Sequence, residues 1–237
     1  MHTKHKKTLA VIPSAGKGRR MGSQKKNYLP LAGRPVLAHT LAAFESSDLI
    51  DAIVIVVPHA DEEFCRTQIV EKYGFKKVAD VIAGGKERQD SVSNALKFAS
   101  DRWEFIAIHD GARPLVTKEI IDNTIKAAYE HGAAICAVPV KDTIKEALGG
   151  FVQRTVPREA LLSVQTPQIF RADIIKKAFT KAMDEGFLGT DESSLVERIG
   201  CQVKVVEGSY ENIKITTKED MAIAECIIHG RGAALAR

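Results

Sequence analysis

The stretch "AIVIVV" (residues 52–57) decides how this chain folds. It is a short apolar run, mostly β-branched, with no alternating polar residue. That is the pattern of a parallel strand covered on both faces, not of a sheet edge or a half-wetted hairpin. Working outward, "TLAVIP" (8–13) reads as a second buried strand, and "PVLAHTLAAFES" (35–46) as a helix with Pro35 near its first turn. Downstream, 61–73 reads as helix, "VADVIAG" (78–84) as a weak strand and "QDSVSNALKFAS" (89–100) as helix. "FIAIHD" (105–110) is a strand ending on an acid, 117–131 a helix stopped near Gly132, and "AAICAVPV" (133–140) another strand. Strands alternating with helices predict an α/β, Rossmann-like, mostly parallel sheet with helices on both faces.

Residues 141–157 break that rhythm. Two short segments flank Gly149 and Gly150, which predicts a protruding β-hairpin arm with a Gly-Gly turn. Beyond it a short helix is expected over 158–163, then a helix over 171–184, a strand over 202–206 and a short strand holding Lys214. "TKED" opens the last helix, with Thr217 and Asp220 in a capping-box pattern. The expected organisation is one domain over 1–237, with residues 1–7 and the closing "RGAALAR" as loose ends.

Composition sets limits. With 237 residues and 45% hydrophobic content, the chain can bury a full core. A net charge of only +4 excludes a nucleic-acid binder on bulk charge. No apolar run approaches the length of a membrane span, and Leu9–Ile12 is too short for a signal peptide. Cys65, Cys136, Cys201 and Cys226 are widely spaced, which argues against a zinc site or disulfide framework and predicts four small reduced core residues in a cytoplasmic protein.

The charge that matters is local. In "PSAGKGRRMGSQKKNY" (13–28), Lys17, Arg19, Arg20, Lys25 and Lys26 fall within ten residues with no acid among them. The run follows the first strand, and in parallel sheets ligands bind beyond the carboxyl ends of strands. Glycine lets backbone amides approach phosphate oxygens closely. A dinucleotide fingerprint fails because Met21 stands where its third glycine belongs. A P-loop fails too: Gly85-Lys86 is followed by Glu87, and Asp80 holds the first glycine's place. A glycine loop rich in Arg and Lys suits a nucleoside triphosphate, whose charge of about −4 calls for several cations and a metal. A solvated basic loop is the plain alternative.

"PSAGKGRRM…KNYLPLAGRPVLAHTL", "GGKERQDSV", "HDGARP", "PVKDTIK", "TPQIF", "TDESSLVE" and "ENIKIT" occur in that order. Together they resemble the 2-C-methyl-D-erythritol 4-phosphate cytidylyltransferase family of nucleotidyltransferases, over about residues 8 to 228. The resemblance implies transfer of CMP from CTP to methylerythritol phosphate, releasing pyrophosphate, with Mg²⁺ as cofactor. It implies that Arg20 and Lys26 stabilise the pentavalent phosphorus and leaving pyrophosphate. Ser14, Ala15 and Gly16 would contact the nucleotide, and Gly85 and Ser91 its cytidine end. Asp110 would lie near the phosphates as the metal ligand. Arg113, Thr143, Thr166 and Lys214 would surround methylerythritol phosphate, with Arg158 and Lys214 positioning its phosphate. The partners implied are CTP, methylerythritol phosphate and a second copy of the chain clasped through the arm, with neither nucleic acid nor membrane. His109 is expected to pack rather than catalyse, because the attacking phosphate is already an anion.

Each residue has a plainer reading: Asp110 capping a turn before Gly111, Arg158 starting a helix at the surface, Lys214 solvated. Lys25, Lys26 and Asn27 stand where the family carries Pro-Lys-Gln, and Ser14 where Ala is common. Lys26, two residues before Tyr28, keeps the place of the family's lysine. The alternatives are a ribitol 5-phosphate cytidylyltransferase and a non-catalytic nucleotide-binding module.

Overall fold

A computed structural model of the chain describes residues 6–16, 25–99 and 101–235. In chain order the elements are β1 (Thr8–Pro13), β2 (Pro30–Leu31), β3 (Arg34–Pro35), α1 (Val36–Glu45) and β4 (Ala52–Val57). There follow α2 (Glu62–Cys65), widened into a π-helical turn over Arg66–Glu71, then β5 (Val78–Ala83), α3 (Arg88–Phe98), β6 (Phe105–Ile108), α4 (Lys118–His131) and β7 (Ala133–Pro139). The last are β8 (Ile144–Leu148), β9 (Phe151–Val156), β10 (Leu162–Arg171), α5 (Ala172–Asp184), α6 (Glu192–Arg198), β11 (Lys204–Glu207) and α7 (Lys218–Leu235).

Seven strands form the central sheet in the order β11-β7-β10-β6-β1-β4-β5. All neighbours are parallel except β10, which runs antiparallel to β6 and β7. Strand alternation divides the core into two layers. Ala10, Ile12, Ile53 and Ile55 face Leu41 and Phe44 of α1, Ile69 of the π-helical turn and Ile125 of α4. Leu9, Val11, Val54 and Val56 face Val92 of α3, Phe179 of α5 and Leu195 of α6. All six residues of β4 are buried, as a strand covered on both faces requires.

Helix ends follow the expected chemistry. The Thr117 side chain accepts the Ile120 N–H at the start of α4, and Gly132 closes it at φ 84°, a left-handed conformation that favours glycine. At α7 the Asp220 carboxylate accepts the N–H groups of Thr216 and Thr217.

Four expectations change. The helix expected over 158–163 is absent: from Leu162 the chain is already β10, running to Arg171. Leu162, Ser163 and Val164 pair with Pro139, Val138 and Ala137, so the free ladder edge of β7 outweighs local helix preference. Lys214 lies in a loop, not a strand. Lys6 and Lys7, taken as part of a loose tail, are held. Lys6 Nζ donates to Tyr129 O at 2.8 Å, and Lys7 O accepts from the Glu104 and Phe105 amides. Residues 1–5 lie outside those described. At the other end α7 continues to Leu235, and Arg231 is tied to Glu211 and to Leu115 O. Only Cys65 and Cys136 belong to the core, whereas Cys201 is half-buried and Cys226 exposed. Burial pushes the Cys65 and Cys136 thiols up to about 12, so both remain protonated.

The arm forms as expected. β8 and β9 pair antiparallel around Gly149 and Gly150, at φ 59° and 85°. Leu148, Phe151 and Val152 are largely exposed on it.

Candidate active site

The parallel strands deliver their ends to one place. Past β1, the Ser14 N–H donates to Val56 O (2.6 Å). Past β5, the Gly84 N–H donates to Val57 O (2.8 Å), and past β6 the His109 N–H donates to Val11 O (3.0 Å). These bonds extend the ladder beyond the strands and hold three loops side by side. Between them opens a cleft of about 800 Å³, lined by Ser14, Ala15, Gly16, Lys26, Gly85, Arg88, Ser91, Asp110 and Lys214 among others.

Two glycines make the cleft wall possible. A Cβ on Gly84 would stand 2.4 Å from Ala15 Cβ, and one on Gly85 2.3 Å from Asp90 Cβ. Ser91 at the start of α3 fastens this turn. Its hydroxyl accepts the Gly85 N–H at 3.1 Å and donates to Glu87 O at 3.1 Å. The far end of the cationic loop is fastened by Asn27, whose buried Nδ2 donates to Ser14 O at 2.7 Å.

Asp110 is the centre of charge. It is 6% exposed. Oδ1 accepts from Arg88 Nε at 2.9 Å, and Oδ2 from Lys214 Nζ at 2.8 Å with Arg113 Nε at 3.6 Å. Burial alone would raise its pKa, but the Arg88, Lys214 and Arg113 cations outweigh it and hold the carboxyl far below the usual range. Its backbone N–H donates to Thr166 Oγ1 at 3.1 Å, and that hydroxyl meets His109 Nδ1 at 3.1 Å. His109 Nε2 lies 3.1 Å from Arg113 O. Burial lowers the His109 pKa to about 4, so the ring is neutral, with Nε2–H donating to Arg113 O and Nδ1 accepting from Thr166. His109 therefore packs against Phe44 and orients neighbours, as the sequence led us to expect.

Lys214 and Lys26 approach from other directions. The loop carrying Lys214 is anchored by Ile215, fully buried in a small cluster with Leu31, Val36, Leu115 and Ala224 of α7, a burial contributing roughly 1.5–3 kcal/mol. The Ile215 N–H donates to Ala112 O, and Lys26 Nζ donates to Ile215 O at 2.9 Å. Lys25 turns elsewhere, to Asp61 at 2.5 Å.

The structure thus gathers Ser14, Ala15, Gly16, Lys26, Gly85, Ser91, Asp110 and Lys214 at the cleft, with Arg113 and Thr166 supporting Asp110 from behind. Thr143 and Arg158 are exposed at the base of the arm, Arg158 donating to Lys141 O, and neither lines the cleft. Arg20 lies outside the described residues. Arg88, Glu192 and Asn27 were not singled out from sequence. Arg88 sits inside "GGKERQDSV" and Glu192 inside "TDESSLVE", but only the fold shows them meeting across 104 positions.

A metal can use this donor set in one way. Among the described residues no three His, Cys, Asp or Glu side chains converge. Asp110 faces the cleft, and each of its oxygens retains a lone pair beyond its hydrogen bond. That fits Mg²⁺ held by one carboxylate, with the remaining oxygens coming from a triphosphate and water.

Known proteins place nearly the whole chain in one family. The family model described as IspD, 2-C-methyl-D-erythritol 4-phosphate cytidylyltransferase, matches residues 8–230. The proteins of that name from Alkaliphilus metalliredigens and Geotalea uraniireducens are 49% and 50% identical to this chain. They match over 95% and 92% of this chain and 94% and 95% of their own. The crystal structure of 4-diphosphocytidyl-2C-methyl-D-erythritol synthase from Anaerococcus prevotii superposes with a TM-score of 0.84 at 33% identity, covering 95% of this chain and 100% of that one. The chain belongs to the 2-C-methyl-D-erythritol 4-phosphate cytidylyltransferase family.

Proposed function

We propose that the chain transfers CMP from CTP to 2-C-methyl-D-erythritol 4-phosphate, the cytidylyl step of the non-mevalonate isoprenoid route. The observation that carries this reading is the meeting of Lys26, Lys214, Arg88 and Asp110 around one cleft, beside the glycine turns at Gly16 and Gly84–Gly85. A phosphate oxygen of the polyol attacks the α-phosphorus of CTP. The new O–P bond forms as the bond to the β-phosphate oxygen breaks, and pyrophosphate leaves with that electron pair. No general base is needed, since the nucleophile is an anion. The protein's work is alignment and neutralisation of growing charge.

Lys26 and Arg20 act on the α-phosphate and the leaving group. Ser14–Gly16 and the Gly85 turn hold the nucleotide, and the 2.3 Å approach of a Gly85 Cβ to Asp90 explains why no side chain intrudes there. Lys214 draws in the polyol phosphate, with Arg113 and Thr166 setting Asp110. Mg²⁺, when bound at Asp110, supplies further neutralisation of the triphosphate. Thr143 and Arg158 stand apart from their own cleft, and the arm beside them exposes Leu148 and Phe151. This favours a homodimer in which each arm serves the partner's site. The net charge of only +4 favours no nucleic-acid or membrane-surface partner, and we read the protein as cytoplasmic. Among the described residues, no helix is long and apolar enough to cross a membrane.

The test is pyrophosphate release with Mg²⁺, each nucleoside triphosphate in turn, and methylerythritol phosphate or ribitol phosphate. CTP with methylerythritol phosphate should be fastest. Faster turnover with ribitol phosphate would overturn the assignment.

A further inference from the structure

Glu192, the first residue of α6, is 2% exposed, and among the described residues its Oε2 finds no hydrogen-bond partner. Burial pushes its carboxyl upward against the pull of Arg88. A buried ion pair is a poor way to gain stability, because apolar residues of similar volume do as well or better. Its place in the fold is more informative. Glu192 Oε1 accepts from Arg88 Nη1 at 2.6 Å, and the other edge of the same guanidinium donates from Nε to Asp110 Oδ1 at 2.9 Å. Arg88 is the first residue of α3 and lines the cleft. A planar guanidinium gripped at one end has little freedom left at the other.

We infer that Glu192 and Arg88 are positioning residues for the transfer reaction: Glu192 fixes Arg88, Arg88 occupies Asp110 Oδ1, and Oδ2 is thereby left facing the Lys214 ammonium. The inference rests on the function proposed above. The relay runs from α6 through α3 and the end of β6 to the loop before α7, so four separate elements set one ammonium group. It also fixes the charge balance. Arg88, Arg113 and Lys214 face Asp110 and Glu192, three cations against two carboxylates. Without the Glu192 charge, Arg88 is free to turn into the cleft and Asp110 loses its fixed orientation.

Glu192→Gln keeps the shape and removes the charge. A displacement of about 1 Å at a reacting group costs about 10²-fold, so kcat/KM for the polyol phosphate should fall by about that factor, with CTP affinity little changed. Arg88→Lys, which cannot grip two carboxylates with one rigid fork, should lose a similar factor. The double variant should be no worse than the poorer single, because both act through one relay. A second readout does not depend on turnover. Acylation of Lys214 by an amine-selective reagent, followed by peptide mass, should be several-fold faster in Glu192→Gln at unchanged Tm. Wild-type turnover in Glu192→Gln, multiplied losses in the double variant, or an unchanged Lys214 labelling rate would each overturn the inference. If Glu192→Gln does not fold, Glu192→Asp carries both measurements, since it keeps the charge one methylene short of Arg88. A wild-type enzyme that releases no pyrophosphate would count against the proposed function, while the labelling result would still decide the relay.

Discussion

Lys26→Met should lower turnover by about 10²–10³-fold, roughly 3–4 kcal/mol of transition-state stabilisation, and change the Michaelis constant for CTP less. The structure distinguishes the two lysines of the doublet. Lys26 Nζ sits on Ile215 O at 2.9 Å, on the segment that carries Lys214, and lines the cleft with it. Lys25 Nζ is paired to Asp61 at 2.5 Å, just ahead of α2. Lys25 has φ −76°, within the range proline imposes, so Lys25→Pro fits the backbone there. Proline should add about 0.4–1 kcal/mol by stiffening the unfolded chain. Losing the Lys25–Asp61 pair costs about 1–3 kcal/mol, because Lys25 is 59% exposed but Asp61 only 8%, so a largely buried carboxylate loses its cation. The second effect is at least as large as the first, so Lys25→Pro should retain activity with an unchanged or lower urea midpoint. Steady-state pyrophosphate release on Lys26→Met, Lys25→Pro and the double variant, with urea midpoints for each, makes the comparison. If either lysine suffices, both single variants stay active and only the double is dead. An active Lys26→Met enzyme refutes the assignment of Lys26.

Mixing Lys26→Met subunits with Arg158→Ala subunits should restore activity if arms serve partner sites. A dead mixture despite proven subunit exchange removes that scheme. The buried His109 carries a folded-state pKa of about 4 against an ordinary 6.5, so the unfolded chain binds more protons between those values and stability falls as pH drops through that window. Between pH 7 and pH 5 the loss should be about 2 kcal/mol, absent in His109→Gln, and equal pH slopes of the urea midpoint in both proteins would contradict the neutral-ring assignment.

The sheet was legible because its strands are short, β-branched and buried on both faces, so "AIVIVV" and "TLAVIP" carry their own fate. β10 was not, because the preference of residues 158–163 for helix is local while the open edge of β7 is a tertiary fact. Lys214 falls in a loop for a related reason: "NIKIT" alternates like a strand, yet Ile215 is drawn into the cluster under α7, and among the described residues no strand pairs with it. The glycine loops and the cleft cations could be read from spacing and resemblance. Arg88 and Glu192 could not, because a charged residue in a polar stretch looks like solvated surface until two helix starts are seen to converge. Asn27, read only as a departure from the family's Gln, proves to tie the two ends of the cationic loop together through Ser14 O.

Asp110 and Glu192 explain how a cationic cleft can exist before any anion arrives. Cations brought together in a partly desolvated site repel one another strongly, and without compensation the loops carrying them would splay apart. Asp110 and Glu192 offset most of that charge among Arg88, Arg113 and Lys214, leaving an excess of one cation in the cluster. The positions are therefore set in advance, and little reorganisation remains when phosphate binds. The partners also differ in mobility. Arg88 is held by two carboxylates and its role ends at Asp110, whereas the Lys214 side chain is 38% exposed and bound through one oxygen. Under the proposed transfer, Lys214 is the cation best able to exchange Asp110 for an incoming phosphate oxygen, and the role proposed for Arg88 is to keep Asp110 in place during the exchange. This division of roles requires Asp110 to be more than a turn cap. Asp110→Asn keeps the shape but removes the charge that Arg88, Arg113 and Lys214 share, leaving Glu192, on Arg88, as the one carboxylate of the cluster.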